Sequence, residues 1–519
     1  MLQKSFGEKK EVIKEDEDTP SDAKRVVLPL SMRREEEARK RNPLDSSEQV
    51  RLMKEAALQR FKKHKVNRET EEFVLPPTWN LRSLKELCTR KIYELLANSK
   101  GRKMFLYAVP ADVSERIFEM LMKEGKLTSE TIRSFLSSRM QQMSFDEYKL
   151  MSTEILREVS KMELVSLSLK NCKLISQSGF SYLANMPRLR QLNLAECNFS
   201  DVSVQALSLL TNLMSLSLAD TKISDEGIIS VLPSLGQLRF LDLSRCHISD
   251  KITPLINTMT NLQALEVTGT MIEKPNFSKC VQMQFLDVSF TKLNNSAMFY
   301  ISYLSKLSYL DLKGTNVDSA AFMHLRKLTN LTQLSLPPRN KVTQEAVNWL
   351  KHLPNLTTLD LSSYAINDLH FLQGMNNLRE LSLSGTQVNS DALAYLKEKP
   401  LLHWLSLDNC KHLSDDSILH LKSLHSIEDL GLSNTPLTDE AVKSISELVN
   451  LKKLNLQRTQ ITNDCLTFLS KLKKLTLVDM RWTKVDEEGI KKNLSTSILQ
   501  VRITAPPPPV QQNQEDDNN

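Results

Sequence analysis

Seven cysteines and nine histidines are the side chains of this sequence best suited to metal ligation or nucleophilic catalysis, and neither set is spaced for it. The sequence contains no C-x-x-C pair, no H-E-x-x-H or G-x-S-x-G, and no Gly-rich phosphate loop. His247, His324, His352 and His420 each lie beside a position of a recurring leucine pattern, where packing or surface roles are expected. An odd number of cysteines without a framework spacing predicts free thiols in a reducing compartment. These residue types point away from an enzyme and from any cofactor, and toward recognition.

The side chains that could recognise a partner fall in step with the leucine pattern. L-x-x-L-x-L recurs from Leu164 to a degenerate copy at Ile498, fifteen times at intervals of 21 to 25 residues. In each copy the short x-L-x-L-x run has the two-residue period of a strand. Behind a Ser/Thr-Asp start, as in ISDEGI, LSDDSI and LTDEAV, the rest has helical spacing, and these residues are expected to cap a helix.

The position between the two strand leucines reads Asp242, Glu266, Asp287 and Asp311 in four consecutive copies. Phe240, Phe285, Phe290 and Tyr309 lie beside them, with Trp404 further along. Rings that supply contact area next to carboxylates that steer are suited to a basic or amphipathic peptide. Aspartate at this position is also ordinary repeat consensus, which needs no ligand.

The repeats resemble the intracellular, cysteine-containing class of the leucine-rich repeat family. That resemblance implies an α/β solenoid, a horseshoe with a parallel concave sheet and helices on the convex side, preceded by a small helical region. At the bend after each strand, where the commonest repeats carry Asn, this chain has Cys172, Cys197, Cys246 and Cys410, or threonines such as Thr221, Thr270 and Thr435. A hydroxyl or thiol there is expected to satisfy backbone groups. Cys280 and Cys465 fall in convex segments and are expected in the core, which leaves Cys88 unexplained.

The chain divides into a charged leader (1–75), a helical adaptor or cap (76–160), the repeats (161–505) and a Pro-rich, then acidic tail (506–519). Leader and tail lack sustained apolar periodicity and are expected to be disordered. The net charge of +6 is too mild and too mixed to argue for nucleic acid. No apolar run of membrane-spanning length and no secretory signal occurs, so a cytoplasmic or nuclear location is expected.

In the adaptor region, Leu84, Cys88 and Ile92 recur four apart on one side of a predicted helix. With Ser83 they match small/hydroxyl-L-x-x-x-C-x-x-x-aliphatic, which resembles the elongin-binding box of cullin-2 and cullin-5 substrate receptors. Val109, Pro110, Val113 and Ile117 follow in a pattern similar to the cullin-2 box, an order similar to the Zyg family of receptors. The resemblance implies elongin C, with elongin B, and cullin-2 as partners, and a protein substrate on the repeats. Two other readings stand beside it: an F-box-like adaptor, from VPADVSERIFEML, and a plain solenoid cap in which Cys88 is a core residue.

Overall fold

The computed structural model describes residues 12–13, 84–98, 106, 109–494 and 500–503. Two units make up the chain. One comprises Met1–Asp16 with Thr89–Asn519, and of the other, Glu17–Cys88, only Leu84–Cys88 are described. The expected disordered leader and tail fall outside the described residues, apart from Val12–Ile13.

Each repeat becomes one coil of a solenoid, and all described strands join one parallel sheet of seventeen. The coil around Leu241 shows why. Leu238, Leu241 and Leu243 point into the core, and Ile248, Ile252, Ile256 and Met259 close it from the convex side. Between the leucines, Phe240 and Asp242 stay partly exposed on the concave face. No coil can bury its own leucines, so each needs the apolar faces of its neighbours.

The bend after each strand requires a residue in the left-handed region. Asn171, Glu196, Asp220, Arg245, Asn409 and Asn434 occupy it with φ between 55° and 62°. The residue that follows supplies the predicted side-chain bond, and the two chemistries differ in reach. Threonine donates to its own coil, as Thr221 Oγ1 does to Leu218 O at 2.6 Å. Cysteine donates to the preceding coil: Cys197 Sγ to Leu169 O at 2.9 Å, Cys246 Sγ to Leu218 O at 3.0 Å and Cys410 Sγ to Leu383 O at 3.1 Å.

The expectation for the Ser/Thr-Asp pairs holds for serines such as Ser249, the N-cap whose hydroxyl accepts from Lys251 N, and needs correcting for the aspartates. These aspartates reach the next coil instead of capping their own helix. Asp201 accepts from Ser224 N and Oγ at 2.9 and 2.6 Å, and Asp415 accepts from Thr438 N and Oγ1 at 2.8 and 2.6 Å. At the turn before the strand an asparagine forms a parallel ladder. Asn330 Nδ2 donates to Ser305 O at 2.8 Å and Asn450 Nδ2 to His425 O at 2.7 Å.

The sheet begins one coil earlier than the leucine pattern indicates. Gln142–Ser144 pairs in register with Ser166–Ser168, so the first coil lies inside the region assigned to the helical cap. Met143 and Phe145 take the buried places that leucines hold elsewhere. Ahead of it stand three helices, α1 (Leu84–Asn98), α2 (Ala111–Lys123) and α3 (Ser129–Phe135), and α4 (Thr153–Val159) is the first coil's convex helix. Phe118 of α2 meets Phe135 and Phe145 edge-on, at 6.0 and 5.1 Å between ring centres, which joins the cap core to the repeat core.

Candidate functional site

Strand register places the candidate concave residues side by side. Phe240, Ala264, Phe285 and Tyr309 form one column across four strands, and Asp242, Glu266, Asp287 and Asp311 form the next. Phe285 and Tyr309 stack with ring centres 4.1 Å apart and planes within 8°. Both remain half-buried on the concave face of the sheet.

The carboxylates are less available than their column suggests. Asp242 Oδ1 accepts from Ser244 N at 3.0 Å and Oδ2 from Ser217 Oγ at 2.7 Å. Asp287 Oδ1 accepts from Ser289 N and Oγ at 2.9 and 2.6 Å, and Asp311 Oδ1 from Lys313 N at 2.9 Å. A carboxylate two residues ahead of a backbone N–H fixes the turn that leaves the strand. This is the physical content of the repeat consensus, and it holds Asp287 and Asp311 almost fully buried. Burial pushes the Asp242 carboxyl above the ordinary carboxylate range, with the Asp287 charge adding to it against the bonds from Ser217 and Ser244.

Two of the candidate aromatics sit apart from this group. Phe290 occupies the left-handed bend position at φ 54°, exposed and packed over Gly314, where a Cβ would come within 2.6 Å of its Cδ1. Trp404 lies in the same column as Tyr309 but four strands on, roughly 19 Å away at normal strand spacing. The stacked pair, Phe240 and the acidic column therefore form the site, with Phe290 at its edge.

In the cap, α1 turns Thr89, Tyr93 and Leu96 inward, with Ile92 half-buried against the core. Leu87, Cys88 and Leu95 are exposed. Leu84 begins the helix, and Ser83 lies outside the described residues. Val113 and Ile117 are core residues, Val109 is half-buried against that core, and Pro110 is exposed at the start of α2. Cys88 is the single exposed thiol among seven. Burial pushes Cys172, Cys280 and Cys465 up to about 12, and Cys197 and Cys246 to about 11.

Sequence reasoning missed a second surface, on the convex side. Phe299 and Tyr303 are exposed edge-on partners, and Lys327 of the next coil lies 4.8 Å from the Tyr303 ring centre. His324 packs against Phe299, and burial with the charges of Lys327 and Arg326 lowers its pKa. The signal was the spacing F-Y-x-x-Y in NSAMFYISYLSK, with more aromatic surface than one buried helix face accommodates.

Among the described residues no group of His, Cys, Asp or Glu is placed to hold a metal ion, and no helix is long and apolar enough to cross a membrane. Residues 152–398 match a family model described as a leucine-rich repeat region. No curated protein matches the sequence. Among solved structures, the chain is similar to a TDR receptor at a TM-score of 0.51 and 16% identity, covering 78% of this chain and 74% of that one. An internalin from Listeria monocytogenes gives 0.44 and 19%, covering 78% and 99%. A leucine-rich repeat protein of Leptospira interrogans gives 0.48 and 17%, covering 79% and 97%. Identities this low speak to the fold alone.

Proposed function

We propose, on the premise that residues 142–503 are a leucine-rich repeat solenoid, that this protein is a non-enzymatic module holding a protein partner on its concave sheet. The observation that carries the reading is the stacked Phe285–Tyr309 pair, half-exposed beside Glu266, Asp287 and Asp311. Rigid rings give contact area at small entropic cost, and the acidic column selects a partner segment carrying Lys or Arg. The turn-bound aspartates set the field, while the rings supply most of the affinity.

The test is direct binding of a partner, identified by cross-linking to the full chain, to Phe285→Ala/Tyr309→Ala. Affinity should fall about tenfold or more, with the urea midpoint little changed. Wild-type affinity in that variant would place the partner elsewhere.

A finer reading is a substrate receptor of a cullin-2 ubiquitin ligase, acting in the cytoplasm or nucleus. Its support is the exposed Cys88 on α1, flanked by exposed Leu87 and Leu95, where a plain cap would bury the cysteine. In this reading Leu84 and Cys88 dock elongin C, and Pro110 with Val109 helps select the cullin. Val113 and Ile117 hold α2 in place from the core. Purified elongin B–C should bind the full chain and lose binding to Leu84→Ala/Cys88→Ala. No binding by wild type would remove the ligase reading and leave the scaffold reading intact.

A further inference from the structure

The convex surface around Phe299 and Tyr303 runs on across two more coils. Asn295–Ile301 carries Phe299, with Tyr303 just beyond it, Ser319–Lys327 carries Arg326 and Lys327, and Asn348–His352 carries Trp349 and Lys351. Lys327 Nζ lies 4.8 Å from the ring centre of Tyr303 and 5.9 Å from that of Phe299, and Arg326 Cζ lies 5.7 Å from that of Trp349. Rings and cations therefore alternate along the solenoid.

These cations lack the acidic partner that the same position finds elsewhere. Lys422 stands in its coil where Arg326 stands, one residue past a buried leucine, and pairs with Glu447 of the next coil at 2.8 Å. In the coil after Arg326, His352 takes the place of Glu447. Among the described residues no carboxylate pairs with Arg326, Lys327 or Lys351, all three exposed. Residues 295–307, 319–328 and 344–353 together hold four cations and one carboxylate, Glu345. The excess reaches His324, whose pKa is lowered by burial and then by the charges of Lys327 and Arg326.

The convex backbone is taken up in helical turns, so it offers no strand edge to a ligand. Side chains alone must hold the partner, which favours a helix presenting one face. Three coils at helix-packing distance span about 16–20 Å, the length of about three helical turns. Phe299 and Tyr303 meet edge-on, with 80° between their planes, so they give no run of parallel faces on which bases stack. Three unpaired cations match a few carboxylates better than a track of phosphates.

We propose that the convex face from Phe299 to Lys351 is a second docking site, separate from the concave sheet, for an acidic amphipathic helix of a partner protein. The apolar stripe of that helix lies on Phe299, Tyr303 and Trp349, and its carboxylates meet Arg326, Lys327 and Lys351.

The test uses a synthetic helical peptide of about sixteen residues, with Phe or Leu at i, i+4, i+7 and i+11 and Glu on both flanks. A twin peptide carries Lys for every Glu. Affinities are measured on the full chain bearing Phe285→Ala/Tyr309→Ala, which keeps the concave rings out of the comparison and the result independent of their role. The acidic peptide should bind, and should lose about tenfold on adding Tyr303→Ala/Trp349→Ala or, separately, Arg326→Glu/Lys327→Glu. The Lys twin should gain about tenfold on Arg326→Glu/Lys327→Glu, which also shows that this variant has kept its fold. No binding of the acidic peptide, or affinity unmoved by both convex variants, would overturn the proposal. So would a single-stranded oligonucleotide that binds more tightly than the peptide and is released by the same variants, since the face would then serve nucleic acid.

Discussion

Asp225 holds Ser249 across the gap between two coils with both carboxylate oxygens, accepting from its backbone N–H at 2.8 Å and from its hydroxyl at 2.6 Å. The aspartate is buried, so no water replaces those bonds when the side chain is removed. Asp225→Ala should lower stability by about 1–3 kcal/mol, and Asp225→Asn, which keeps one acceptor, by less. Urea midpoints of the two variants against wild type check the order.

Lys399 occupies the coil position held elsewhere by Met186, Leu235, Met259, Leu353 and Leu424. Its side chain is buried and its Nζ has no hydrogen-bond partner, and burial lowers its pKa. Lys399→Met should stabilise the fold by about 1–3 kcal/mol, because an unpaired buried amine gives way to an apolar group of similar length. The sign with pH follows from the lowered folded value. The unfolded chain binds the proton more tightly, so the penalty is full below the folded pKa and fades as pH rises toward the ordinary lysine value. The variant's advantage should be largest near neutrality and shrink in alkaline buffer.

Glu158 ties the cap to the first coil. It is buried on α4 and accepts from Arg133 of α3 at 3.2 Å and from Lys161 at 2.7 Å, and these cations hold its carboxyl down at about 2. A folded value below the unfolded one gives stability that is present above the ordinary Glu pKa and lost as pH falls toward 2. Glu158→Gln should cost about 1–3 kcal/mol at neutral pH, discounted for the half-exposed partners. The difference from wild type should disappear in acid titrations approaching pH 2.

Thiol alkylation separates Cys88 from the other six. In native buffer iodoacetamide should modify Cys88 at the rate of an exposed thiol, while Cys172, Cys197, Cys246, Cys280, Cys410 and Cys465 wait for unfolding. Peptide mapping after a short pulse reads this directly. Fast labelling of Cys246 would contradict its burial against Leu218 O.

The solenoid was legible because leucine spacing repeats often enough to leave no other periodicity, and the bend cysteines followed from position alone. The first coil was not legible, since Met143 and Phe145 fill its core without the leucine signature. Nor were the aspartate ladders, whose partners lie 23 or 24 residues on and across a coil boundary, as Asp201 with Ser224 and Asp225 with Ser249. For α1 the difficulty was different. Leu84, Leu87, Cys88, Ile92, Tyr93, Leu95 and Leu96 surround most of the helix, so no stripe identifies the inner side. The line Thr89–Tyr93–Leu96 won, about 100° around the helix from Leu84–Cys88–Ile92. At the concave site, register made the acidic and aromatic columns readable, while the turn bonds that occupy Asp242, Asp287 and Asp311 required coordinates.

The convex-turn ladder runs from Asp201 to Gln344, whose Oε1 accepts from Asn367 N at 3.1 Å, and resumes at Asp415. Between them, the Asn389 side chain bonds within its own helix, to Ala392 N, and the same coil carries the unpartnered Lys399. Linked neighbours melt together, and a weak link sets the boundary of a cooperative block. Strand pairing and the bond from Cys410 Sγ to Leu383 O still cross this place. The array therefore stays one sheet there while its convex side lacks the link that its neighbours have, and amide exchange should be fastest in the convex turn of that coil.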